Sequence, residues 1–104
     1  ITYYHPYQDK CGSQVADPKT KRAKKGITVA AHPDFKFGQK VFIPQLKGVI
    51  GDGIFTVQDR GGAVTKKTAS RGRAYVFDVF VNSGSDLKKY VKINPAYMEV
   101  IILK

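Results

Sequence analysis

The stretch Tyr75–Val81 reads YVFDVFV and combines β-branched and aromatic residues with a single carboxylate, Asp78. A short apolar run of this kind is typical of a buried strand. By alternation Asp78 shares a face with Val76 and Phe80, so part of its hydration is lost in the fold. We therefore expect its pKa to be raised. An ordinary Asp on the solvent face of a strand explains the residue equally well at this point.

Outward from this strand, short apolar segments alternate with turn residues. The chain has ten Gly and five Pro, and its single Glu is part of a composition that favours strands over helices. Further strands are predicted at Thr2–Tyr4, Ile27–Ala31, Lys40–Ile43, Ile54–Gln58 and Met98–Leu103, the last of them buried. A cap at Ser85–Asp86 predicts a short helix that ends at Tyr90 or Val91. The pattern predicts one all-β domain over residues 1–104, a barrel of about six short strands.

Positive charge dominates the composition. Eighteen Lys and Arg face eight Asp and Glu, which gives a formal net charge of +10. Much of the excess falls in two polar segments, Asp9–Gly26 and Val64–Arg73, which we interpret as long basic loops. Such a charge predicts attraction to a polyanion: nucleic acid, an anionic membrane surface or a bacterial wall.

Several classes of protein are disfavoured by what the sequence lacks. No apolar run approaches the roughly 20 residues of a membrane span, so no transmembrane segment is predicted. Cys11 is the only cysteine and His5 and His32 are the only histidines. Their spacing predicts neither a disulfide framework nor a metal site, and we expect no cofactor. The chain begins at Ile1 without a signal-like region and is interpreted as cut from something longer.

A second carboxylate, Asp59, lies in Val57–Ala63, which reads VQDRGGA. An Asp before two glycines is by itself often a turn residue. Asp59 and Asp78 together are more informative, because two neighbouring carboxylates keep one of them protonated at neutral pH. Cleavage of a glycosidic bond needs such an acid to protonate the leaving oxygen. The pair therefore predicts glycan chemistry, with Asp78 and Asp59 as the catalytic residues.

Four segments resemble the 3D domain, a family named for three aspartates. They are Val29–Pro33 (VAAHP), Phe37–Pro44 (FGQKVFIP), Val57–Ala63 and Val76–Phe80 (VFDVF). The family is similar to the catalytic barrel of membrane-bound lytic transglycosylase A and to small stationary-phase muralytic proteins. The likeness covers nearly the whole chain, and Asp-x-Gly-Gly-Ala followed by Phe-Asp-Val-Phe is its specific part. It implies a mainly β, six-stranded double-psi β-barrel with one short helix.

The resemblance also implies roles for individual residues. Asp78 takes the place of the catalytic acid and base, and Asp59 that of its partner. The family's first aspartate precedes a proline, where this chain has His32-Pro33 with Asp34 two residues later. Either His32 substitutes for that aspartate, or Asp34 reaches into the site, or the third carboxylate is dispensable. The implied substrate-binding residues are Tyr4, His32, Asp34, Arg60, Gly61 and Gly62.

The function that the resemblance implies is that of a lytic transglycosylase. Such an enzyme cleaves the β-1,4 bond after N-acetylmuramic acid without water and leaves a 1,6-anhydro ring. Its partner is the glycan strand of peptidoglycan, with no nucleic acid, and we expect a monomer. The expected location is secreted, in the envelope or periplasm of a bacterium, or on a phage particle.

Three other functions stay open at this stage. The first is a non-catalytic, expansin-like barrel that binds or loosens cell-wall polysaccharide. The second is a glycan hydrolase, which needs two carboxylates roughly 6.5–9.5 Å apart to activate water. Nucleic-acid binding ranks last, because the cations fall in two loops without a recognised motif.

Overall fold

Six short strands form a single mixed sheet in the computed structural model, which describes residues 1–4, 22–60 and 75–103. The elements are β1 (Thr2–Tyr4), β2 (Thr28–Ala30), β3 (Lys40–Phe42), a 3₁₀ helix (Pro44–Leu46), β4 (Ile54–Asp59), β5 (Asp78–Phe80), α1 (Gly84–Ile93) and β6 (Ile101–Ile102). The strand order is β1-β5-β2-β4-β3-β6. The pairs β1–β5 and β2–β4 are parallel, and the other three pairs are antiparallel.

A row of valines crosses the middle of the sheet and forms the centre of the core. Val29 in β2 is paired with Val57 in β4 and with Val79 in β5, and all three are fully buried. Their branched side chains suit this position because they pack well on a pleated surface. Their χ1 angles are already restricted, so burial costs little additional rotamer entropy. Aromatic residues, including Phe55 and Phe77, extend the same cluster.

The helix begins two residues earlier than the sequence predicts. Ser83, not Ser85, is the N-cap, and its hydroxyl accepts a hydrogen bond from the backbone N–H of Asp86. This places Asp86 in the first turn, where its charge complements the helix dipole. The ring centroid of Tyr90 lies 5.8 Å from that of Tyr3, so the helix packs against β1.

Most predicted strands agree with the structure, and two do not. The bounds of β1 to β4 are correct within one residue at each end. The predicted strand Tyr75–Val81 is reduced to Asp78–Phe80. The prediction of a buried strand over Met98–Leu103 is wrong, since only Ile101–Ile102 is a strand and both residues are exposed. The reason is its position, because β6 ends the sheet order and pairs only with β3.

Of the predicted barrel, the described residues show one mixed sheet of six strands and one short α-helix. The predicted basic loops lie largely outside the described residues, apart from 22–26 at the end of the first. No helix in the described parts of the chain has the length and hydrophobicity needed to cross a bilayer.

The connection between β3 and β4 depends on Gly53. Its φ is +78°, and its carbonyl accepts a hydrogen bond of 2.8 Å from the N–H of Ile43. A Cβ at this position would lie 2.9 Å from the carbonyl oxygen of Ile43 and 3.0 Å from the N of Lys47. Both neighbours are backbone, so neither has a rotamer that relieves the clash. Gly48 has a similar φ of +79° but open space around it.

These two glycines form a matched pair for a stability test. We expect Gly48→Ala to lower the free energy of unfolding by about 1 kcal/mol, the cost of left-handed backbone for a residue with a Cβ. Gly53→Ala adds the backbone clash and should cost about 3 kcal/mol in all. Urea denaturation of both variants measures the difference. Equal losses would contradict the steric argument.

Candidate functional site

Ala30 in β2 brings the two predicted catalytic aspartates together. It is paired with Asp78 in β5 on one side and, after a register shift at Val29/Ala30, with Asp59 in β4 on the other. Neighbouring strands lie about 4.8 Å apart, so the two aspartate Cα atoms are separated by about 10 Å, within reach of two leaning side chains. Ala30 presents only a methyl group between them. The sheet therefore places the two aspartates on either side of Ala30, near enough for the charge of Asp59 to raise the pKa of Asp78.

The carboxyl of Asp78 is partly buried and has one described hydrogen-bond partner. The hydroxyl of Thr2, its pairing partner in β1, donates to Oδ1 at 2.9 Å. Burial raises the pKa of Asp78 to about 6, and the charge of Asp59 adds to this. The hydrogen bond from Thr2 and the ammonium group of Ile1 act in the opposite direction. The raised pKa predicted for Asp78 is confirmed.

Asp59 ends β4 and accepts hydrogen bonds on both oxygens. The hydroxyl of Tyr4 donates to Oδ2 at 3.0 Å, and the backbone N–H of Arg60 donates to Oδ1 at 2.9 Å. The ring of Tyr4 is held edge-on by Phe80, with centroids 5.3 Å apart. Because β5 and β2 separate β1 from β4 in the sheet order, the two strands would lie about 14 Å apart in a flat sheet. The Tyr4–Asp59 contact therefore indicates that the sheet curls. Tyr4 is therefore part of the carboxylate site.

The guanidinium of Arg60 binds the loop that follows β2. It donates to the carbonyl of Ala31 at 3.2 Å and to that of Phe35 at 2.7 Å. Its carbon lies 4.2 Å from the ring centroid of Phe37, a cation–π contact. These contacts hold the loop in place beside the end of β4. The substrate-binding role predicted for Arg60 stays a prediction.

His32 and Asp34 contact Tyr75. The Asp34 carboxylate accepts a hydrogen bond of 2.6 Å from the Tyr75 hydroxyl, and the ring centroids of His32 and Tyr75 lie 5.3 Å apart. Within the turn, the backbone N–H of Asp34 donates to Nδ1 of His32 at 3.0 Å. The hydrogen bond to Asp34 raises the pKa of Tyr75. The carboxylate of Asp34 is thus engaged with Tyr75, and Gly61 and Gly62 lie outside the described residues.

Thr2 is the site residue that sequence reasoning missed. It stands at the start of a three-residue strand, and only its parallel pairing with β5 places its hydroxyl on Asp78. A hydroxyl residue near a chain start carries no signal of that pairing in the sequence. Thr2 also belongs to the wall of an apolar groove of about 500 Å³, which we name the β1/β6 groove. Its lining residues are Ile1, Thr2, Phe35, Tyr75, Val76, Phe77, Ala96, Tyr97, Met98, Val100 and Ile102.

The described residues offer no metal site: among them, His, Asp and Glu side chains form no group of three.

Comparisons of the chain with protein-family models, with curated proteins and with solved structures find no match in any of the three. The likeness to the 3D domain thus stays an expectation from the sequence.

The role of Thr2 is testable by removing one hydroxyl. In Thr2→Val the donor to Asp78 Oδ1 is lost at nearly constant volume, so the anion loses a partner and the pKa of Asp78 should rise further, by about one pH unit. The change in pKa is measured by following the NMR shift of the Asp78 carboxyl carbon as a function of pH. Thr2→Ser keeps the hydroxyl and should titrate like the wild type. A Thr2→Val curve that overlays the wild type would contradict the hydrogen bond.

The pKa of Asp78 also predicts how stability depends on pH. An acid with a pKa raised from 3.8 to about 6 binds more protons folded than unfolded between these values, so stability falls as pH rises through this window. The free energy of unfolding falls by at most about 3 kcal/mol in this way, and the decrease is complete above about pH 6.

Asp78→Asn removes this penalty. We expect the variant to exceed the wild type by about 1–2 kcal/mol at pH 7.5 and to match it near pH 4. Chemical denaturation at several pH values gives the difference curve. Asp52→Asn changes an exposed aspartate and serves as the control. A difference between Asp78→Asn and the wild type that does not vary with pH would contradict the burial of this carboxyl.

Proposed function

We propose that this domain is a lytic transglycosylase that cleaves the glycan strands of peptidoglycan, with Asp78 as its acid and base. The observation that carries the proposal is the partly buried carboxyl of Asp78, which lies across Ala30 from Asp59 and whose pKa is raised to about 6. At near-neutral pH such a group is present in both protonation states, as a residue that first donates and then accepts a proton must be. Asp59, across Ala30, contributes to that pKa.

The chemistry needs one carboxyl acting twice. Protonated Asp78 gives its proton to the glycosidic oxygen as the bond to C1 of N-acetylmuramic acid breaks. The resulting carboxylate then takes the proton from the C6 hydroxyl of the same sugar, whose oxygen bonds to C1 and closes the 1,6-anhydro ring. No water and no carboxylate nucleophile are consumed, in contrast with retaining hydrolases.

The hydrogen bonds of the two aspartates fit different roles, proton transfer for Asp78 and electrostatic stabilisation for Asp59. Thr2 binds Oδ1 of Asp78, and we assign Oδ2 to proton transfer. Asp59 accepts from Tyr4 and from the N–H of Arg60, so its orientation is held from two sides. Its negative charge favours the protonated form of Asp78 before the reaction and the oxocarbenium-like sugar during it.

We propose that the curled sheet belongs to a double-psi β-barrel. The contact between Tyr4 and Asp59 spans four neighbouring strands of the sheet order. In addition, residues from both end strands, β1 and β6, line the same groove. Both observations support a sheet whose ends approach each other.

The partner and location follow from the same proposal. A net charge of +10 suits a wall polymer that bears peptide carboxylates and often phosphates. We propose a monomer that is secreted, held in a bacterial envelope or carried by a phage particle.

Digestion of purified peptidoglycan tests the activity. We expect the wild type to release anhydromuramyl products, identified by mass spectrometry, and Asp78→Asn to reduce the rate of their release by about 10²–10⁴-fold, as loss of an acid–base residue does. Asp52→Asn should behave as the wild type. The rate should also decline about tenfold per pH unit above about pH 6, where Asp78 loses its proton.

The products separate the alternatives. Reducing-end products that disappear in Asp78→Asn would replace the transglycosylase by a hydrolase. Protein that sediments with the wall and releases no product would leave the expansin-like binding barrel.

A further inference from the structure

The outward face of α1 carries three lysines. Tyr90 is buried and Leu87 packs against the core, so the side of the helix that bears them faces the sheet. With about 3.6 residues per turn, Lys88, Lys89 and Lys92 project from the other side, and all three are exposed. None of the three forms an ion pair with a described residue. Because neighbouring like charges repel one another, this face attracts an anionic partner.

The segment before β2 extends this positive charge around the helix. Nζ of Lys25 binds Asp86, the only acid of α1, at 3.0 Å and lies 4.9 Å from the ring centroid of Tyr90. Nζ of Lys89 lies 5.6 Å from the same centroid, so the segment and the helix bring their ammonium groups to one ring. Lys24, which is exposed, precedes Lys25 along the chain. We name the following residues the α1 basic surface: Lys24, Lys25, Lys88, Lys89 and Lys92.

An exposed isoleucine lies among these lysines. Ile93 follows Lys89 by four residues and Asp86 by seven, so the three share one strip along the helix. Asp86 holds Lys25 beside this strip, and Ile93 is 56% exposed. A polyanion that stays in water gains little from an exposed isoleucine. The headgroup region of a bilayer, in contrast, removes the side chain from water and so favours binding.

The α1 basic surface and the carboxyl site lie on opposite faces of β1. Side chains alternate along a strand, and Tyr3 packs against Tyr90 of the helix with ring centroids 5.8 Å apart. Its neighbours Thr2 and Tyr4 point to the other face, where their hydroxyls bind the two aspartates. A contact made by the outward face of α1 therefore leaves both carboxyls accessible.

We propose that the α1 basic surface docks the folded domain on an anionic phospholipid bilayer. The lysine ammonium groups bind lipid phosphates, and Ile93 enters the headgroup region. A lysine near an anionic bilayer surface raises affinity by about fivefold, so several together give a stable contact. The inference does not rest on the proposed function, because it uses other residues on another face of the sheet.

Sedimentation with lipid vesicles tests the contact. One set of vesicles contains equal parts of phosphatidylglycerol and phosphatidylcholine, and the other contains phosphatidylcholine alone. We expect the wild type to bind the first set at least about tenfold more tightly, and the difference to shrink as salt screens the charges.

Two pairs of lysines separate a specific surface from net charge. Lys89→Gln with Lys92→Gln should weaken binding to the anionic vesicles by about 25-fold, the value of two lysines near the membrane. Lys36→Gln with Lys47→Gln removes the same charge from exposed positions on either side of β3. This control should weaken binding by less than about threefold, because charges farther than a Debye length from the surface are screened.

Two aliphatic residues of α1 separate a bilayer from a polyanion in water. Ile93 and Val91 are similarly exposed, 56% and 59%. They are two positions apart and so point to different sides of the helix, with Val91 away from Lys25. Ile93→Ser should weaken binding to the anionic vesicles by about fivefold, and Val91→Ser should leave it unchanged. Both variants put a serine in the same helix, so a general loss of helicity would affect them equally.

Each outcome either supports the inference or overturns it. Equal effects of the two lysine pairs would reduce the contact to net charge and overturn the surface. Tight binding of linear inorganic polyphosphate, with no binding to either set of vesicles, would assign the lysines to a polyanion in water and overturn the bilayer. Equal effects of Ile93→Ser and Val91→Ser would also count against the bilayer.

The proposed enzyme stands or fails separately. Purified peptidoglycan holds no bilayer, so the variant with Lys89→Gln and Lys92→Gln should release anhydromuramyl products at a rate within about threefold of the wild type, the same margin as for the charge control. Vesicle binding with the expected lysine and isoleucine effects, in a chain that releases no product, would support the surface and overturn the enzyme. Product release without vesicle binding would do the reverse.

Discussion

The candidate site depends on the double pairing of Ala30. A single residue of β2 is paired with Asp78 on one side and, across a register shift, with Asp59 on the other. A one-residue slip of either partner strand would turn its aspartate to the opposite face. The valine row of Val29, Val57 and Val79 prevents such a slip, because it would expose fully buried side chains. Core packing in this way sets the position of the carboxyls.

Arg60 and Asp34 contact the segments that surround the two carboxyls. The guanidinium of Arg60 binds the loop after β2 through the carbonyls of Ala31 and Phe35. That loop carries Asp34, which in turn holds Tyr75 at the rim of the β1/β6 groove. Charged and polar residues near a carboxylate pair are readily interpreted as substrate ligands from sequence. Here the printed contacts of Arg60 and Asp34 are made within the protein, to the carbonyls of Ala31 and Phe35 and to the hydroxyl of Tyr75, and their predicted role in substrate binding stays a prediction.

The burial of Asp78 opposes folding, and in the proposed reaction it favours proton transfer. A carboxyl with a pKa of about 6 is ionised above that pH in a place that solvates charge poorly, and this costs stability. Natural proteins retain such unfavourable groups chiefly where function requires them. The hydrogen bond from Thr2 reduces the cost without removing it, which keeps the pKa close to the pH at which proton transfer is most useful.

The sequence by itself determined the local elements and the two carboxylates. Strands β1 to β4 follow from apolar runs bounded by Gly and Pro, and Asp78 is conspicuous because an acid interrupts an apolar run. The tertiary structure decided which residues meet. Thr2 and Asp78 are 76 positions apart and Tyr4 and Asp59 are 55 apart. Their contacts, like the exposure of β6 at the end of the sheet, follow from strand order and register. These depend on how all the strands bury their apolar faces together, and no local pattern encodes that.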